Sequence, residues 1–110
     1  MEQNTTKDYS YFQVEESKLS LIIHPKDSSF QQDFEKELIF LITTIYFGVK
    51  ANIILDMQNI KYLSLSSIVF FANLARELEL RNRKLSLLNS PPSLQVYFHK
   101  HQLDRIIQLV

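Results

Sequence analysis

A chain of 110 residues has the size of one domain, because single cores commonly run to about 100–150 residues. With 45% hydrophobic and 22% charged residues its composition is that of an ordinary globular protein, which excludes disorder as the main state. Twelve basic side chains balance twelve acidic ones, so no overall field draws the chain to nucleic acid or to an anionic membrane.

The absence of cysteine removes disulfides and thiolate zinc sites, and a fold without such staples fits a reducing cytoplasm. The longest nearly apolar stretch, residues 38–49, contains Thr43 and Thr44 and falls short of the roughly 18 residues a bilayer span needs. It reads as a core helix. The N-terminal residues lack the basic and apolar regions of a secretory signal, so a cytoplasmic location with no membrane insertion is expected. A single glycine argues against any glycine-rich phosphate cradle.

In chain order, residues 1–9 are polar and without period and read as a loose leader, ahead of a domain over residues 10–110. Residues 11–14 and 18–24 read as strands. In the second of these Leu19, Leu21 and Ile23 alternate with Lys18, Ser20, Ile22 and His24, the pattern of a sheet covered on one side. Ser29 and Gln32 form a capping box. Phe30, Phe34, Leu38, Leu41 and Ile45 then recur at helical spacing up to Gly48, which supplies a stop. Ile39, Phe40, Ile42, Tyr46 and Phe47 widen that apolar arc, so a homodimer is possible, although other segments could cover the same surface.

Residues 52–56 read as a central strand ending in a carboxylate, Asp56. Ile68, Phe71, Ala75 and Leu78 then mark a second helix from about Ser66 to Asn82. Residues 85–89 read as a strand, Ser90 with Pro91 as an N-cap and first-turn proline, and Leu94, Tyr97 and Phe98 as a short third helix. Residues 105–109 read as a last strand. Alternating strands and helices imply an α/β domain: a four- to five-stranded, mostly parallel sheet with right-handed crossovers.

The stretch Leu55-Asp56, then Ser64-Leu65-Ser66-Ser67-Ile68, and downstream Arg83-Lys84-Leu85-Ser86-Leu87-Leu88-Asn89-Ser90-Pro91 resembles the STAS domain family (sulfate transporter and anti-sigma-factor antagonist). In that family a strand ending Leu-Asp is followed eight residues later by a second Asp and then by Ser-Ser/Thr-Gly opening a helix. The resemblance covers about residues 10–110 and implies three main helices chiefly on one face of the sheet. It also implies a non-catalytic regulatory module that needs no cofactor and docks the Asp56 loop and the start of the second helix onto a protein partner. Asp56, Ser64, Leu65, Ser66, Ser67 and Arg76 would form that surface. The implied partner is an anti-sigma kinase-like ATPase; the alternative is a small STAS subunit docking on the ATPase of a lipid-transport ABC system.

The register puts Leu65 where phosphorylated family members carry the acceptor serine, with Ser64 at the second Asp position and Ser67 at the glycine. Leucine takes no phosphate. The preferred expectation is therefore a module lacking the usual phosphoserine switch, with Ser66 as the substitute acceptor if one exists. The residues themselves leave two matters open. Ser64, Ser66 and Ser67 suit helix capping as well as partner contact, and Leu65 suits either an exposed contact or the core.

His24, His99 and His101, without cysteine or clustered carboxylates, make poor metal ligands. An enzyme using Ser66 with His24 as base would need an ordered acid and a nucleophile elbow, and the sequence shows neither.

Overall fold

The computed structural model describes residues 5–26, 32–46, 52–61 and 64–110. Six strands form one sheet in sequence order: β1 (Thr5–Asp8), β2 (Phe12–Glu16), β3 (Ser20–Pro25), β4 (Asn52–Asp56), β5 (Leu85–Leu88) and β6 (Ile107–Leu109). The β1–β2 and β2–β3 pairs are antiparallel, and the three pairs from β3 to β6 are parallel. Helices α1 (Gln32–Phe40), α2 (Leu65–Glu79) and α3 (Pro92–Lys100) lie in the three parallel crossovers.

Because the parallel strands advance steadily in one direction, right-handed crossovers bring every helix to the same face. Leu21, Ile23, Ile53, Leu55, Leu85 and Leu87 alternate into that face and join Phe34, Phe71 and Phe98 in one core. Burying each such large side chain stabilises the fold by about 1.5–3 kcal/mol. A sheet of this order has no point at which the strand sequence reverses, and that point is where α/β proteins open a nucleotide crevice. The other face is open, with Ile22 and Ile54 half-buried among Glu15, His24 and Asp56.

The architecture agrees with the sequence reading in class, in the single helical layer and in the parallel half of the sheet. It differs in having one more strand than the upper expectation. Thr5–Asp8, read as part of the leader, pairs antiparallel with β2. All four of its residues are exposed, so no burial period marks it; backbone pairing with β2 makes it a strand, with a Lys7–Glu16 ion pair at 3.4 Å beside it. Leu19, expected to point inward, lies in the β2–β3 turn and is 74% exposed.

Phe34, Leu38, Leu41 and Ile42 of the first apolar arc are buried, while Ile39, Phe40 and Ile45 stay exposed. After Phe40 the helix widens into a π-turn over Leu41–Ile45, closed by Tyr46 N–H to the Leu41 carbonyl at 2.8 Å. The wider turn brings Tyr46 inward, where its hydroxyl donates to Glu16 at 2.6 Å and shares a 3.0 Å hydrogen bond with that of Tyr9. The Ser29 capping box, Phe30, Phe47 and the Gly48 stop lie outside the described residues.

The second helix has the expected buried stripe of Ile68, Phe71, Ala75 and Leu78. It ends at Glu79, and Asn82 turns the chain away at φ 58°, a conformation asparagine tolerates better than most residues. The third helix starts later than read. Pro91 is its N-cap, without a side-chain bond, and Ser90 is buried. The last strand opens at Ile107, because a 3-10 turn takes Leu103–Arg105.

Candidate functional site

The C-terminal ends of β3, β4 and β5 are tied together by one side chain. Asp56, at the end of β4, keeps only 12% of its side chain exposed. Its Oδ1 accepts from the Gln58 backbone N–H at 3.0 Å and from Asn89 Nδ2 at 3.1 Å, and its Oδ2 pairs with His24 Nδ1 at 3.1 Å. An ionised carboxylate only accepts, so His24 Nδ1 is the donor. Asp56 therefore holds one loop N–H together with side chains from the two neighbouring strand ends. Asn89 stands at φ 59° immediately after β5 and was not singled out from the sequence. The asparagine following a strand was the available signal.

From Asp56 the chain reaches the start of α2, where Ser64 has extended φ, ψ of −77° and 162° and its hydroxyl accepts the Ser67 N–H at 3.2 Å. This is a serine N-cap. Ser64 Oγ also lies 2.9 Å from Ser66 Oγ and 3.0 Å from Ser67 Oγ. Ser67 is 1% exposed, and its hydroxyl donates to Glu35 Oε1 of α1 at 3.2 Å. Glu35 is a second residue that sequence reasoning missed. Nothing in its spacing marks it, because the contact joins two helices 32 positions apart.

Leu65, the first residue of α2, is 63% exposed, which removes the core reading left open for it. Val69 and Arg76, four and eleven residues further along, share its solvent-facing side. The structure thus places Ser64, Leu65 and Ser66 at an exposed turn, Arg76 further along the same helix face, and Ser67 inside. Asp56 lies at the strand end that leads into the turn.

Among the described residues Ser66 and His24 are not joined: the hydrogen bond of Ser66 Oγ runs to Ser64, while His24 Nδ1 pairs with Asp56. His99 pairs with Asp104 at 3.2 Å, and His101 packs against Tyr97 with ring centroids 4.3 Å apart. Among the described residues no three His, Asp or Glu side chains converge as a metal ion would require, and no helix is long and apolar enough to cross a membrane.

The family model described as STAS domain matches residues 9–110. No protein of curated function matches the chain in sequence. The solved structure of the Bacillus cell fate determinant SpoIIAA in its phosphorylated form aligns with a TM-score of 0.65 at 16% identity, covering 98% of this chain and 91% of that one. The anti-sigma factor antagonist SpoIIAA in its unphosphorylated form aligns at 0.61 and 16%, covering 94% and 97%. TM1081 from Thermotoga maritima aligns at 0.65 and 12%, covering 96% and 84%. At such identities the likeness is one of fold.

Proposed function

The chain belongs to the STAS domain family, and from that premise we propose that it is a non-catalytic regulatory module that works by docking the start of α2 on a protein partner. The observation that carries this reading is the exposed Leu65 at the first position of α2, on a turn held by the Ser64 cap. A large aliphatic side chain on a rigid turn gains nothing from water, and a contact that buries it is worth roughly 1.5–3 kcal/mol. Val69 extends the apolar contact and Arg76 adds a charged point on the same helix face; Asp56 braces the strand ends from which the turn springs.

By the family resemblance Leu65 stands where phosphorylated members carry the acceptor serine, so this module docks without the usual phosphoserine switch. In its cytoplasmic setting the partner is an anti-sigma kinase-like ATPase. Affinity isolation from the native cell with wild type and Leu65→Asp tests the reading. A histidine-kinase-like ATPase held by wild type, and at least tenfold more weakly by Leu65→Asp, is the expected result. Equal retention by both would remove the docking surface from this turn, and capture of an ABC ATPase with its permease would replace the partner. Incubation with the captured kinase and ATP is expected to leave the intact mass unchanged; one added phosphate on Ser66 would overturn the absence of a switch.

A further inference from the structure

Hydroxyl arithmetic at the α2 start assigns a direction to every proton in the serine cluster. A serine hydroxyl has one proton and two lone pairs. Ser67 gives its proton to Glu35, so in its contact with Ser64 it can only accept, and Ser64 is the donor there. Ser64, its proton spent, can only accept from Ser66. It also accepts the Ser67 N–H, which fills both of its lone pairs. The chain of donation therefore runs from Ser66 to Ser64 to Ser67 to the Glu35 carboxylate. Charge at the end of such a chain polarises each bond in it.

We propose that Glu35 is the positioning residue of the docking turn: through Ser67 and Ser64 it draws the Ser66 proton inward and leaves Ser66 facing outward with lone pairs alone. Ser66 is exposed, Ser67 is buried, and Ser64 is saturated, so Ser66 is the hydroxyl of the three that can meet another molecule. It sits between Leu65 and the rest of the helix start. A partner fitting this turn presents an apolar contact for Leu65 and, beside it, a hydrogen-bond donor such as a backbone N–H, a lysine or an arginine. An acceptor at that point would face lone pairs with no proton between. No acidic side chain lies in the first turn of α2, so this helix start takes its carboxylate from α1.

This specification of the partner rests on the docking reading above, while the relay stands on the geometry of the free protein. It is tested by a chemical-shift cycle on the full chain at neutral pH, reading the Ser66 Cβ resonance by NMR in wild type, Glu35→Gln, Ser67→Ala and the double variant. The relay predicts that Glu35→Gln moves the Ser66 Cβ signal in the wild-type background and leaves it in place once Ser67 is alanine. A Ser66 signal that ignores Glu35→Gln, or that moves equally in both backgrounds, overturns the proposal. If Glu35→Gln fails to fold, Glu35→Asp, which withdraws the carboxylate by one methylene, supplies the same comparison. An intact cycle alongside equal partner retention by Leu65→Asp would sink the docking reading alone; a broken cycle with partner binding still sensitive to Leu65 would sink the relay alone.

Discussion

At the start of α2 Ser64 takes the N-cap and receives the Ser67 N–H, whereas before α3 the corresponding serine, Ser90, is buried with its hydroxyl unpartnered among the described residues. Pro91 holds the cap there, and Pro92 opens the helix. The local patterns look alike, a serine ahead of an apolar run. The difference lies in the donors on offer. Proline has no N–H, so the first position of α3 needs no cap. Further into the first turn, the Leu94 and Gln95 N–H groups donate to the Pro91 carbonyl at 3.0 and 3.2 Å. Ser90 contributes its own carbonyl, which accepts from Gln95 Nε2 at 2.9 Å. A hydroxyl is worth what its partners make of it, and the two helix starts sit at opposite ends of that scale.

Substitutions of single hydroxyls sharpen this contrast. The largest effect is expected outside both helix starts, at Tyr46, whose buried hydroxyl meets the Glu16 carboxylate and Tyr9. Chemical denaturation of Tyr46→Phe should show a loss of about 2 kcal/mol, in the range for hydrogen bonds to charged groups. Burial, and after it the hydrogen bonds to Glu16 and Tyr9, hold the Tyr46 phenol above its ordinary range. The unfolded chain gives up that proton near pH 10, while the folded one keeps it. The contribution is therefore fully present below about pH 10 and is lost as pH rises beyond it. Wild-type stability should fall between pH 9 and about 11, and the fall should be shallower in Tyr46→Phe; parallel slopes would place the titrating group elsewhere.

Next in size is Ser64→Ala, which removes the α2 cap and should cost about 1 kcal/mol by the same measurement. The smallest effect is expected at Ser90→Ala. Deleting a buried hydroxyl without a partner relieves a desolvation penalty, so stability should stay level or rise by a few tenths of a kcal/mol. A loss at Ser90 as large as that at Ser64 would erase the difference between the two starts.

The regions legible from sequence were those with a strong local period. The α2 stripe of Ile68, Phe71, Ala75 and Leu78 was readable because helical spacing and burial coincide there, and the parallel strands were readable because their apolar runs are short and bounded. Elements held by backbone pairing or by distant partners were not. Strand β1 exposes all four of its residues, and the π-turn before Tyr46 departs from a helix whose apolar spacing looked continuous. At the candidate site the serines, Leu65 and Asp56 were visible as residue types. Glu35, Asn89 and the engagement of His24 by Asp56 were not, since each contact spans more than 30 positions of chain.

By itself, then, the order of residues determined the α/β class, the family, the placement of the helical core stripes and the presence of a leucine at position 65. These are properties of spacing, and spacing is local. Tertiary structure alone decided that Leu65 faces water while Ser67 does not. It alone placed a carboxylate from α1 at the base of α2, and left one serine a cap and another a hydroxyl unpartnered among the described residues. Exposure and hydrogen-bond satisfaction depend on which segments of a chain come to lie beside each other, and no local pattern records that.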